Sequence, residues 1–94
     1  MGVRASPEYA PAAEALAEYW MRRGNYAKAA AYFHQVLNAT PGDYSAQFGL
    51  GIAQEHLGLW QEALGHLQTA CKIEPNSAPC LQELRMVEHK LKQP

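Results

Sequence analysis

Net charge is almost absent from this chain. Eight lysines and arginines stand against nine aspartates and glutamates, which leaves a formal net charge of -1 over 94 residues. A protein that binds nucleic acid or an anionic membrane through its overall field needs a clear positive excess, so the composition argues against both partners. The basic residues are also scattered, without the basic stripe and interleaved aromatics that are typical of nucleic-acid binding.

Long apolar runs are missing as well. No uncharged apolar stretch approaches the roughly 18 residues that a membrane-spanning helix needs, and no basic start is followed by an apolar segment near the N-terminus. The first residues fit the short pattern for myristoylation of Gly2, but no second anchoring signal follows, so we interpret them as an ordinary start. We therefore expect a soluble, cytoplasmic protein.

Cysteine is scarce. Cys71 and Cys80 are too few for a disulfide framework and lack the CxxC spacing that is typical of zinc and redox sites. They stand at the end of one predicted helix and the start of the next and could approach each other. In a reducing cytosol we expect them to be buried thiols.

Catalytic and metal-binding groupings are also missing. The four histidines show no HxxxH or HExxH spacing, and no serine, histidine and acid stand in a recognisable catalytic context. Gly49-Leu50-Gly51 lies inside a helical pattern with no preceding strand, so it is not a phosphate-binding loop. We expect no enzyme activity, no metal and no cofactor.

What the sequence does contain is a period of 34 residues. A repeat of this length indicates stacked supersecondary units, each unable to bury its apolar face alone, and so predicts a short solenoid. The matching pairs are Gly24 and Gly58, Tyr26 and Trp60, Ala29 and Ala63, Phe33 and Leu67, and Pro41 and Pro75.

Helix breakers and apolar spacing predict an all-α protein with five helices. In the second helix Ala29, Phe33, Val36 and Leu37 form an apolar stripe, and in the fifth helix Leu81, Leu84, Val87 and Leu91 share one side. The predicted helices run from Ser6 to about Arg23, from Tyr26 to about Asn38 with Asn25 as cap, from a cap at Asp43 to Leu57, from Trp60 to about Ile73, and from about Ala78 to Lys92.

These features resemble the tetratricopeptide repeat (TPR) family, whose motif runs Trp, Leu-Gly, Tyr, Ala, an aromatic and Pro. Ala13, Gln47 and Gln54 depart from the motif, because they replace its aromatics. The first repeat supplies Leu16-Ala17, Trp20, Ala29, Phe33 and Pro41, and the second supplies Leu50-Gly51, Ala63, Leu67 and Pro75.

The resemblance implies a short right-handed solenoid of antiparallel helix pairs. After a flexible N-terminus at residues 1–6, we expect one domain over residues 7–94. It would hold repeat one at about 10–43, repeat two at about 44–77 and a capping helix at about 78–92. The function that the resemblance implies is a non-catalytic protein–protein interaction module, an adaptor or scaffold.

In TPR proteins the first helix of each pair lines a concave face, with inward positions at i, i+4 and i+7. Phe48 and Ile52 would stand at its centre with glutamates around them, so we expect a groove for a partner's peptide or helix that carries an apolar anchor near basic residues. Alternatively, Phe48 and Ile52 merely pack within the stack and the acids face water. The expected concave residues are Glu14, Glu18, Met21, Phe48, Ile52, Glu55, Gln82, Met86 and His89.

Some TPR domains bind the C-terminal carboxylate of heat-shock chaperones through lysines and asparagines on these helices. None of the corresponding positions here is basic and three are acidic, so the resemblance disfavours a chaperone C-terminus as partner. A second hypothesis is a structural module that forms a homo-oligomer or stacks into a larger TPR assembly. The positions that correspond to the clamp are Glu14, Glu18, Gly49, Pro79 and Glu83.

Overall fold

The computed structural model describes residues 6–93, with side chains described from residue 12 onward. Gly2 and most of the expected N-terminal segment at residues 1–6 lie outside the described residues. Within the described range the chain forms five α-helices and no strand, as predicted. They are α1 (Ser6–Arg23), α2 (Tyr26–Ala39), α3 (Tyr44–His56), α4 (Trp60–Ile73) and α5 (Ala78–Lys92).

Side-chain caps begin three of the helices. The Asn25 side chain accepts from the backbone N–H of Lys28 at the start of α2, as predicted. Asp43 accepts from the N–H of Ala46 at the start of α3, and Ser77 opens α5 in the same way. Each cap satisfies a backbone donor that has no partner within its helix.

Glycines end the first helix of each pair. Gly24 has φ +81° and Gly58 has φ +78°, in the left-handed region that other residues enter only with strain. This conformation reverses the chain within two or three residues. Consecutive helices therefore lie antiparallel, and the pairs stack side by side into a solenoid.

In the core, small residues line the contacts between neighbouring helices, and we call this line of contact the seam. Ala17, Ala29 and Ala63 have no exposed surface, which confirms that they sit at close helix contacts. A Cβ atom added to Gly51 would lie 2.8 Å from Leu67 Cγ, so only glycine admits this leucine. The seam lets the backbones approach closely enough for Leu50 and the larger side chains to interdigitate.

Two glutamines replace the aromatics of the family motif, and both are buried. Gln47 donates from Nε2 to the carbonyl oxygen of Pro41 at 3.1 Å, which ties α3 to the turn before it. Gln54 Oε1 lies 2.8 Å from His66 Nδ1, so a polar pair joins α3 to α4. Each buried amide thus has one hydrogen-bond partner, while the Oε1 atom of Gln47 is buried without one.

His66 of α4 is half-buried, and its ring lies against Gln54 of α3. Burial lowers the pKa of His66, and the neighbouring His34 ring lowers it further. The ring is therefore neutral at pH 7. Its Nδ1–H donates to Gln54 or to the carbonyl oxygen of Glu62, which lies 3.1 Å away.

The expected apolar side of α5 needs one correction. Leu84, Val87 and Leu91 pack against α4 as predicted, but Leu81 is 39% exposed. Cys80, which is fully buried, takes the position in the contact with α4 that was expected for Leu81. The interface follows the spacing Cys80, Leu84, Val87 and Leu91.

The expectation of two buried thiols is wrong. Cys71, in the last turn of α4, forms a disulfide with Cys80, in the first turn of α5, with their Cα atoms 5.8 Å apart. Cys80 is buried and Cys71 half-buried. Spacing in sequence could not show that the α4–α5 turn brings the two side chains together. The disulfide joins the capping helix covalently to the second repeat.

Among residues 6–93, no helix is both long enough and apolar enough to cross a membrane. In the same part of the chain, no three histidine, cysteine, aspartate or glutamate side chains gather as a metal site would require.

We expect Cys71→Ser to lower the free energy of unfolding by about 2–3 kcal/mol without reductant, because the disulfide closes a short loop in the unfolded chain. Urea unfolding followed by circular dichroism measures the change. In dithiothreitol the variant and the wild type should unfold together. A wild-type midpoint that is insensitive to dithiothreitol, with two free thiols by titration, would contradict the disulfide.

Candidate functional site

An open depression of about 370 Å³ lies between α1 and α3 on the concave side. Its walls are mostly apolar or aromatic, and two charged side chains of α1 stand at its edge. The residues that line it are Glu18, Met21, Arg22, Phe33, Tyr44, Ser45, Phe48 and Gly49.

Gly49 leaves room for the floor of this depression. A Cβ atom at this position would collide with the ring of Phe33, which reaches across from α2. The absent side chain allows the Phe33 ring to lie directly against the α3 backbone. Phe33 is almost fully buried, so the floor is rigid and apolar.

Phe48 is held by a chain of contacts that reaches α5. Its ring stacks on that of Tyr44, with centroids 5.6 Å apart and planes 9° from parallel. The Tyr44 hydroxyl lies 2.8 Å from Ser77 Oγ, and Ser77 also caps α5. Phe48 is half-buried and packs at the edge of the second core cluster, with one part of the ring toward the depression. Phe48 thus contributes to the core and also lines the depression.

The structure divides the predicted concave residues between two places. Glu18, Met21 and Phe48 line the α1–α3 depression together. Met86 and His89 instead line a second depression, of about 610 Å³, along the outer end of α5 beside Trp60. The other predicted residues, which line neither depression, are Glu14, Ile52, Glu55 and Gln82.

Glu55 faces another acid instead of solvent. Burial raises the pKa of Glu55 to about 8, and a hydrogen bond and repulsion from Glu83 of α5 add to the shift. The Glu55 carboxyl group is therefore mostly protonated at neutral pH. Its Oε2 atom is buried without a partner. Glu55 thus adds much less negative charge to the concave face than a free carboxylate would.

Negative charge on this face is concentrated on α1. Burial raises the pKa of Glu14, and the neighbouring Asp43 and Glu18 raise it further. Glu18 itself is exposed at the edge of the depression. Arg22, one helical turn further on, lines the same edge, so the depression offers one acid and one base side by side.

Sequence reasoning missed five of the lining residues: Arg22, Phe33, Tyr44, Ser45 and Gly49. The helical period contained a signal for two of them, because Tyr44 and Ser45 stand four and three residues before Phe48 and so share its face. Gly49 had no such signal. Its role depends on Phe33 reaching from another helix.

The geometry is that of a helical-repeat solenoid with an open depression on its concave side. The family model described as tetratricopeptide repeat matches residues 3–44 and 14–78, more than half of the chain. The protein belongs to the tetratricopeptide repeat family. The paired helices, the 34-residue period and the capping helix agree with that assignment.

Solved structures share the same fold. The C-terminal TPR-containing domain of a protein described as a Plasmodium falciparum FK506-binding protein has a TM-score of 0.84 and 25% identity, and the match covers 89% of this chain and 56% of that one. The first TPR of RPAP3 (Spaghetti), bound to the HSP90 peptide SRMEEVD, has a TM-score of 0.88 at 21% identity, covering 92% and 69%. The TPR2AB domain of yeast Sti1, in an HSP90 complex, has a TM-score of 0.84 at 17% identity, covering 92% and 33%. This chain therefore spans between a third and about two thirds of the length of these matched chains.

Gly49→Ala should destabilise the protein by about 1–3 kcal/mol, because the new methyl group must displace the Phe33 ring. Gly65→Ala is the matched control: it lies within α4 with nothing near its Cβ position, so it should stabilise by roughly 0.5–1 kcal/mol. Urea unfolding measures both. Equal effects of the two substitutions would refute the tight floor.

Glu55→Gln should make the protein less sensitive to rising pH. Because the pKa of Glu55 is raised to about 8 by folding, the folded state holds a proton that the unfolded state releases, and stability falls as pH rises from about 4.5 to 8. The variant should gain thermal stability relative to wild type at pH 8 and match it at pH 4. Glu88→Gln, on the exposed side of α5, is the control. Parallel profiles for wild type and Glu55→Gln would exclude the raised pKa of Glu55.

Proposed function

We propose that this TPR domain is a non-catalytic adaptor that binds a peptide or helix of a partner protein in the α1–α3 depression. The observation that carries the proposal is the apolar floor of Phe33 beneath the half-exposed Met21 and Phe48. The rings of Phe33 and Phe48 are held by packing, and Phe48 is also held by Tyr44, whose hydroxyl contacts Ser77. The surface is therefore formed without a ligand. A rigid apolar depression loses little conformational entropy on binding.

The charges at the edge of the α1–α3 depression determine which ligands bind well. Glu18 is exposed and Glu14 lies one turn before it on α1, whereas the pKa of Glu55, raised to about 8, leaves that group mostly uncharged at neutral pH. A lysine or arginine of the ligand is therefore best placed beside Glu18, on the α1 side. We propose an apolar anchor over Phe48 with a basic residue next to it. Salt should weaken this second contact.

Chaperone C-termini are the natural comparison, since two of the structural neighbours are HSP90 complexes. The expectation that such a peptide binds poorly here stays a prediction, and those neighbours do not support it. It depends on the acids Glu14 and Glu18, which would repel an acidic peptide. Titration with SRMEEVD tests it: weak binding at millimolar concentration is expected, and micromolar affinity would refute it.

The proposal predicts the outcome of a peptide selection. A displayed random-peptide library should yield sequences with a large apolar residue next to lysine or arginine. Phe48→Glu should weaken their binding by at least about tenfold, because it places a charge in the apolar depression. Leu59→Glu is the matched control, since Leu59 is 43% exposed and lies in the α3–α4 turn.

Two results would refute the adaptor function: selected peptides that bind Phe48→Glu as well as wild type, or a selection that enriches nothing. Sedimentation velocity on the same samples tests the alternative of a self-associating module. A dimer that dissociates on Phe48→Glu substitution would favour assembly through this face.

A further inference from the structure

The solenoid uses one interface twice. Ala46 and Leu50 of α3 pack with Phe33 and Val36 of the preceding helix α2. One period later, Val87 and Leu84 of α5 pack with Ala63 and Leu67 of the preceding helix α4. In each repeat, the first helix therefore contacts the preceding helix through the same set of positions. In α3 these are Ala46, Leu50 and Ala53, and in α5 they are Cys80, Leu84 and Val87.

In the part of the chain that the structure describes, no helix packs against the same positions on α1. Shifted back by 34 residues, they are Ala12, Leu16 and Tyr19. Leu16 is 41% and Tyr19 44% exposed, whereas Leu50 is fully buried. Ala12 is exposed too. These three residues with Arg23, whose guanidinium lies 5.0 Å from the centroid of the Tyr19 ring, form what we call the α1 docking face.

The two internal interfaces show which residue pattern packs against such a face. Both α2 and α4 present a small residue, then a large apolar one four positions on, then a smaller apolar one three positions further. They do so through Ala29, Phe33 and Val36, and through Ala63, Leu67 and Ala70, all buried. Both run antiparallel to the helix that follows them. An occupant of the α1 docking face would need the same pattern and direction.

We propose that the α1 docking face binds an amphipathic helix of a partner protein, antiparallel to α1, with this small–large–small pattern and an acid in its first turn. The acid follows from the charges: an antiparallel helix begins beside the exposed Arg23 at the end of α1. A carboxylate there faces the guanidinium group of Arg23 and its own helix dipole, which both favour it.

A second copy of this chain fits the face less well. In the described residues α2 lies between α1 and α3, and α4 lies between α3 and α5, so neither has a free face of the required pattern. The outer side of α5 is charged instead of small. Arg85 stands where α3 has Gly51, and Glu88 where it has Gln54, and both are exposed. These two charged side chains make the outer side of α5 a poor match for the interface that joins the repeats.

The protein's own α4 supplies a probe, since it has the pattern and carries Glu62 in its first turn. The peptide has the sequence of residues 60–73 with Cys71→Ser. A hydrocarbon staple joins positions 61 and 65, which are both exposed in α4. Fluorescence anisotropy gives its affinity for the full chain, and methyl and aromatic NMR shifts locate it. We expect shifts at Leu16 and Tyr19.

Leu16→Glu in the protein should weaken peptide binding by at least about tenfold, because it places a charge in the centre of the apolar contact. Leu57→Glu is the matched control, an equally exposed leucine at the end of α3, and should leave the affinity unchanged. In the peptide, Leu67→Glu should abolish binding and Glu62→Lys should weaken it about threefold. Circular dichroism checks that both protein variants remain folded.

Three outcomes would overturn the proposal. One is the absence of saturable binding by the stapled peptide. Another is binding with shifts confined to α3 and α5, which would mean that the peptide displaces α4 from its own place. The third is a wild-type dimer in sedimentation that Leu16→Glu dissociates, which would make a second copy the occupant.

Discussion

The structure depends on how closely helix backbones can approach where side chains are small or absent. Gly51 admits Leu67 and Gly49 admits Phe33, while fully buried alanines continue the seam between these points. Because the approach is close, each large side chain enters a fixed gap in the neighbouring helix. The same contact that holds the repeats together therefore fixes the Phe33 ring beneath the concave depression. Stability and the shape of the candidate site come from one constraint.

The repeat period predicted the helices, the turns and the register of the seam, because glycine, proline and capping residues act locally. It placed Glu18, Met21 and Phe48 on one face. It could not show the features that depend on two side chains meeting across helices: the Gln54–His66 pair, the raised pKa of Glu55 beside Glu83, and the disulfide. It also treated the concave face as continuous, whereas the structure divides the predicted residues, with Met86 and His89 beside Trp60.

The charges give the molecule two unlike surfaces. The concave side is acidic near α1, where Glu18 is exposed, and less so near α5, where the pKa of Glu55 is raised to about 8. The outer side of α1 carries exposed Leu16 and Tyr19 with Arg23 at one end. These surfaces lie on different faces of the same helix.

Intermolecular nuclear Overhauser effects between the protein and a bound, selected peptide test the central claim most directly. The account predicts contacts from the apolar anchor of the peptide to the Phe48 ring and the Met21 methyl group, with the basic side chain near Glu18. It predicts no contacts to the outer helices around His34 and His66. Contacts confined to those outer helices, with Phe48 and Met21 silent, would contradict the assignment of the α1–α3 depression as the binding surface.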